Sequence, residues 1–288
     1  MTAVAPVVSP RRDKSRGLLL GTGGLLLLAL ESPGIRLART GAWEANLGFG
    51  LFSALSMACW VRWRTGTSLW AVARRGGRRM YGCALLQAVC TTLFIVALHF
   101  TSVANTVVIF ATTPAFAAVL AHWALGETTS LRTWLGIAGA IGGIAIVFAG
   151  SLGSGGSFGD VCAFGAVAAY AGNLTLMRRF PELNREAIIG LSGLLLALTS
   201  IWFVRAGHLE LQGLLILAVL GLLTGPFGRV FVAAATRYLP VAQVSLLSPV
   251  ETLAATGLAW WWLGEAPLPS ALIGGAVVIL GLILGLSD

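Results

Sequence analysis

Residues 121–143 read AHWALGETTSLRTWLGIAGAIGG, and residues 259–281 read AWWWLGEAPLPSALIGGAVVILG. Aligned without a gap at a shift of 138, they agree at Ala121, Trp123, Leu125, Gly126, Glu127, Gly136, Ala138, Ile141 and Gly143, which meet the same residues at 259, 261, 263, 264, 265, 274, 276, 279 and 281. Shared Ala, Leu and Gly mean little in so apolar a chain. A shared W-x-L-G-E, followed in the next helix by glycines seven apart, marks an internal repeat. The fold follows from what each copy contains.

The 288-residue chain is 57% hydrophobic and 10% charged, with mean hydropathy +0.88, whereas soluble domains carry about 25% charged residues. Its apolar segments are near the ~20 residues that cross roughly 30 Å of hydrocarbon, and its 37 glycines suit closely packed membrane helices. Ten spans are predicted: 17–39, 43–61, 80–99, 102–124, 131–150, 158–177, 187–204, 211–236, 240–263 and 268–286. Each half then holds five, an odd number, so the halves have opposite orientations. The predicted fold is an all-α polytopic membrane protein with two inverted five-helix repeats, 1–150 (with a basic tail, 1–16) and 151–288. Such folds place substrate near mid-membrane, where the halves face each other.

Charge distribution assigns the sides. With the N-terminus inside, fifteen Lys and Arg residues fall in inside segments. Three (Arg36, Arg39, Arg205) fall outside, and Arg229 lies within a span. This positive-inside bias predicts a bacterial-type cytoplasmic membrane with both termini cytoplasmic. The formal charge of +8 therefore sets topology and does not indicate a nucleic-acid partner, for it makes no aromatic-interleaved basic face. The longest connection, 62–79, is basic and reads as a loop. The first segment has a signal-like basic start, but LESPGIR offers no A-x-A cleavage site and reads as a retained span. The four cysteines (Cys59, Cys83, Cys90, Cys162) lie in apolar segments without a C-x-x-C pair and read as small buried hydrophobes. No metal or cofactor site is expected.

FTSVANTVVIFATTPAFAAVLAHWALGE (100–127) and its second copy YLPVAQVSLLSPVETLAATGLAWWWLGE (238–265), each followed by a glycine-rich span, resemble the EamA-type exporters of the drug/metabolite transporter superfamily. The resemblance implies ten helices, alternating access, and export of amino acids or other small metabolites. It also implies a central cavity lined by helices 1, 3, 4, 6, 8 and 9, with 5 and 10 packed outside. Anchored on Gly264, Glu251 matches a glutamate that related second repeats place before a proline; here the proline is Pro249, and Thr252 takes the usual proline position.

Ionisable groups at membrane depth cost at least ~2.5–3.5 kcal/mol on insertion scales and mark functional sites by default. Glu251 sits mid-span. Arg229 either snorkels to the cytoplasmic face or pairs with a substrate carboxylate or Glu251. Asp160 reads as a helix-start residue at the outer face, and Glu127 and Glu265 as structural residues. Gln87 with Thr91, Asn105 with Thr112, and Tyr170 with Asn173 share helix faces and either line the cavity or bond across helices. Pro33, Pro114 and Pro249 predict helix breaks, tolerated only where protein or a wet cavity satisfies the freed carbonyls. Trp260, Trp261 and Trp262 read as an interfacial belt or, alternatively, a substrate cage.

ALESPGIRLART (29–40) decides the depth of Glu31. Ending the first span at Leu30 leaves it too short to cross. A shift of 139 sets ALESPGIRLAR on AAYAGNLTLMR of the sixth span, with Arg39 on Arg178 and Glu31 on Tyr170. The passage reads as the outer half of a kinked helix with Glu31 inside; an outer loop with Glu31 in water is the alternative.

These residues point to a secondary exporter of small metabolites, amino acids foremost, with Glu31 and Glu251 as candidates for holding a proton or substrate amine. A facilitator of solutes or drug-like cations without proton coupling is the runner-up. An intramembrane enzyme is disfavoured: H-E-x-x-H, G-x-S-x-G and closely paired carboxylates are all missing. A scaffold would need a soluble domain or long loop. Whether the chain acts alone or as a homodimer is open.

Overall fold

The protein is described by a computed structural model covering residues 10–125, 131–151, 156–204, 210–235, 238 and 247–286. All regular structure among these residues is helical, in ten segments. The first is broken into α1a (Pro10–Ala29) and α1b (Glu31–Leu37), followed by α2 (Ala42–Thr65) and α3 (Leu69–Phe100). The fourth is broken into α4a (Val103–Phe110) and α4b (Thr113–Leu125), and α5 (Leu131–Ser151), α6 (Ser157–Arg179) and α7 (Arg185–Ser200) come next. The eighth has a π-helical turn, Leu220–Thr224, between α8a (Leu211–Val219) and α8b (Gly225–Ala235); α9 (Ser248–Leu263) and α10 (Pro269–Leu286) complete the chain. Five stretches are long and apolar enough to span a membrane unaided: Lys14–Leu37, Leu69–Phe100, Val103–Ala124, Ser157–Arg179 and Leu211–Ala235.

The breaks have a common cause. Proline lacks the N–H that would bond four residues back. Pro33 deprives Ala29 of its donor, and α1a ends there. Pro114 does the same to Phe110, where α4a ends, and the freed carbonyl accepts from the Thr113 hydroxyl at 2.6 Å. A third break, which the sequence reading missed, lies at Pro226. Its orphan, the Leu222 carbonyl, accepts from the Ser56 hydroxyl of α2 at 2.7 Å. At Pro114 and Pro226 the replacement donor is a hydroxyl, which satisfies the freed carbonyl within protein. Pro249 likewise stands in the first turn of its segment, α9, and the preceding residues 239–246 lie outside the described residues.

The pairing of helices repeats across the two halves. α1a packs on α8b and α3 on α6, while α2 meets α7 and α5 meets α10. In the last pair, a Cβ added to Gly274 would lie 2.7 Å from Gly143 O, and one on Gly281 would lie 3.0 Å from Gly136 O. Adding or subtracting 138 turns the first contact into the second, as a two-fold relation between inverted halves requires. α5 and α10 also present exposed apolar faces, including Leu135, Ile141, Leu272 and Leu280, consistent with their place outside the centre.

The connection read as a loop over 62–79 is mostly helical. α2 runs to Thr65, and the chain turns at Gly66 and re-enters a helix at Leu69. That helix bends at Gly77, whose φ of 59° with ψ of −154° lies in a region that glycine alone adopts freely. Exposed indoles gather toward both ends of the bundle: Trp63, Trp70 and Trp123 toward the N-terminal, basic end, and Trp202, Trp260 and Trp261 toward the far end. Trp260 and Trp261 are 63% and 79% exposed and face outward, the belt arrangement and not a cage.

Candidate functional site

Proline chemistry brings the charged residues together. Because Pro33 ends α1a, Glu31 becomes the first residue of α1b. The π turn and Pro226 re-aim the eighth segment so that Arg229, on α8b, faces it. π turns of this kind occur often at functional positions. Arg229 Nη1 donates to Glu31 Oε1 at 2.7 Å and Nη2 to Oε2 at 3.1 Å. This two-pronged bond uses the planar fork of arginine, which lysine cannot reproduce. Glu31 is 6% exposed. Of the alternatives left by the sequence, Arg229 therefore neither snorkels nor pairs with Glu251, and Glu31 is not in an outer loop.

Gly225 makes room for the pair. A methyl group there would overlap Glu31 Oε1 and lie 3.0 Å from Arg229 Nη1 and 2.9 Å from the Phe49 ring. Glu251, in the first turn of α9 and only partly buried, accepts no hydrogen bond from any described residue. It lies within Coulombic range of both Glu31 and Arg229. Tyr170, which the repeat aligns with Glu31, is in range of all three charges. Its ring stacks on Phe110 at 5.5 Å, and Phe110 meets Phe94 edge-on at 5.1 Å.

Beside Arg229 lies a cavity of about 10 Å³, lined by Phe49, Ser53, Gln87, Thr91, Ser192 and others, enough for about one water. Gln87 and Thr91 are therefore both cavity-lining and bonded. Asn173 Nδ2 donates to Gln87 Oε1 at 2.8 Å, joining α6 to α3, and Thr91 Oγ1 donates to the Gln87 carbonyl at 3.0 Å. Asn173 itself is fully buried. Phe49, Ser53 and Ser192 escaped the sequence reading. Their one signal is proximity to Gly50 and Gly193, which bring α2 and α7 into backbone contact.

Asn105 belongs elsewhere. Its Nδ2 donates to Thr101 Oγ1 at 3.3 Å and Asp160 Oδ1 at 3.4 Å, while Thr101 Oγ1 donates to Asp160 Oδ1 at 2.7 Å. Asp160, read as a helix-start residue at the outer face, does lie in the first turn of α6; it is fully buried there and knits α6 to the α3–α4a junction. Thr112 donates to the Ile109 carbonyl at 2.6 Å. Cys83, Cys90 and Cys162 are buried and unpaired, but Cys59 is exposed, contrary to its reading as a buried hydrophobe. Glu265 is bonded to Arg36 at 2.8 Å; Glu127 lies outside the described residues.

A search of curated proteins gives no match. A solved structure titled "Crystal structure of protein" superposes with a TM-score of 0.63 at 18% identity, covering 96% of this chain and 98% of that one. At that identity the likeness speaks for the fold alone. The pattern of the EamA-like transporter family matches twice, over residues 16–149 and 157–287, one match to each half of the bundle. With ten helices, a pseudo-two-fold pairing and charged groups buried between the halves, the chain belongs to the EamA-like transporter family, as a multi-pass membrane transporter of small solutes.

Proposed function

We propose that the protein exports small polar metabolites, amino acids foremost, across a bacterial-type cytoplasmic membrane by alternating access, with Glu31, Arg229 and Glu251 as its charged centre. The supporting observation is that Arg229 is held at both prongs by Glu31, while a second carboxylate of the interior, Glu251, accepts no hydrogen bond from the described residues. A lone carboxylate is costly in low-dielectric surroundings unless a cation joins it. On this reading, a proton or the substrate's amine provides that cation at Glu251, and a substrate carboxylate competes with Glu31 for Arg229. Tyr170, Phe110 and Phe94 form the apolar wall, and Gln87 and Thr91 contribute polar contacts.

The test is flux in vesicles containing purified protein. Amino acids, nucleobases and organic cations are screened, with and without an imposed proton gradient. Saturable transport that responds to the gradient, and whose response Glu251→Gln removes, supports the reading. Wild-type flux by Glu251→Gln at every pH would remove Glu251 from the centre. Flux indifferent to the gradient would select a downhill facilitator.

A further inference from the structure

At the end of the bundle opposite the N-terminal tail, a second charged pair joins elements that the centre does not. Arg36, in the last turn of α1b, donates from Nε to Glu265 Oε1 at 2.8 Å and from Nη1 to the Leu98 carbonyl at 2.5 Å. Leu98 lies in the last turn of α3, where carbonyls lack helical donors and the dipole favours a cation. Glu265 follows Gly264, which ends α9 in a left-handed conformation with φ 68°. Its Oε2 accepts from the Val103 N–H at 3.3 Å. Val103 is the first residue of α4a, where N–H groups lack helical acceptors and the dipole favours an anion. His99 adds a further tie, its Nε2 lying 2.9 Å from the Thr40 carbonyl. One ion pair thus closes α1b, α3, α4a and the α9–α10 connection onto each other, with each charge also satisfying a helix end.

The inverted repeat supplies a comparison inside the same molecule. Glu265 has a sequence counterpart, Glu127, at the shift of 138, but at the shift of 139 Arg36 falls on Thr175. Thr175 carries no charge, and its hydroxyl donates to Ala171 O of its own helix at 2.8 Å. The aligned position therefore carries an arginine in one half and a threonine in the other.

We propose that Arg36 and Glu265 form an ionic latch that holds the far end of the bundle shut. The proposal rests on the alternating-access reading, because an end that never opens needs no latch.

The test does not require a known substrate. Thr91, which lines the cavity beside Arg229, is replaced by cysteine in a chain whose four native cysteines are changed to alanine. Labelling by a membrane-impermeant maleimide is timed in sealed vesicles of each orientation. The latch predicts slow labelling from the far face, and a rate at least ~5-fold higher in Arg36→Gln and in Glu265→Gln, the size expected for a partly exposed pair. The exchanged pair Arg36→Glu/Glu265→Arg returns the rate toward the parent's. Equal rates in parent and single variants, including no labelling in any of them, overturn the latch. Equal acceleration in the exchanged pair also overturns it, because that would reflect general loosening. If labelling behaves as predicted while the protein with Thr91 intact moves no solute, the latch stands and the transport reading fails.

Discussion

Glu31 and Arg229 lie 198 residues apart in the chain and in different halves, yet meet in two hydrogen bonds of 2.7 and 3.1 Å. Removing either one leaves the other as an uncompensated buried charge. Glu31→Gln strands a mostly buried guanidinium and is expected to destabilise the protein by about 3 kcal/mol or more. The double change Glu31→Gln/Arg229→Gln recovers part of that loss without restoring transport. Arg229→Lys keeps the charge but loses the fork, and its flux falls roughly tenfold or more. Thermal melting in detergent, read beside vesicle flux, separates the two effects.

Gly225→Ala drives a methyl group into the pair and the Phe49 ring. Overpacking of this kind costs typically ~1–3 kcal/mol, and here it also disturbs the charged centre. Gly257, on α9, has nothing within 4 Å of an added Cβ, so Gly257→Ala is the matched control. It should leave melting unchanged or raise it by up to about 1 kcal/mol through helix propensity.

Glu251 is the titratable member of the centre in the proposed function. Glu251→Gln should flatten the pH profile of flux, whereas Glu251→Asp should keep a pH-dependent profile at reduced rate. Initial rates from pH 5.5 to 8.5, roughly the span over which such groups are tuned, distinguish these outcomes.

Ser56 and Pro226 should behave as a coupled pair. Ser56→Ala leaves the Leu222 carbonyl without its 2.7 Å donor, at an expected cost of about 1–3 kcal/mol. In a background of Pro226→Ala, the residue at 226 can supply the backbone N–H, so the same Ser56→Ala change should cost less. A double-mutant cycle on melting measures the difference.

The physics explains what was legible in sequence. Hydropathy, W-x-L-G-E and the five-plus-five count prescribe the bundle because hydrocarbon admits few alternatives to helices. Glu31 was placed inside by span length, since 14 residues are too few to cross, and by the repeat alignment at a shift of 139. The partner of Arg229 was not legible. Snorkelling and pairing give the same spacing along one helix, and the choice depends on a π turn that hydropathy does not encode. That Asn105 bonds to Asp160 was not legible for a related reason: facing positions within a helix do not specify which neighbour approaches. The extra break at Pro226 was available in the sequence, since any proline inside a span orphans a carbonyl four residues earlier.

The glycine seam between α5 and α10 carries a kinematic consequence. If the two halves exchange shapes during the cycle, every contact between them becomes its counterpart under the repeat. The contact of Gly143 with Gly274 becomes that of Gly281 with Gly136, and these already coexist. A seam that the exchange maps onto itself has the same geometry in both end states, so it can serve as a stationary axle while the other helices swing. Tethering α5 to α10 along it should leave flux intact, whereas tethering Arg36 to Glu265, which bonds at the far end, should stop it.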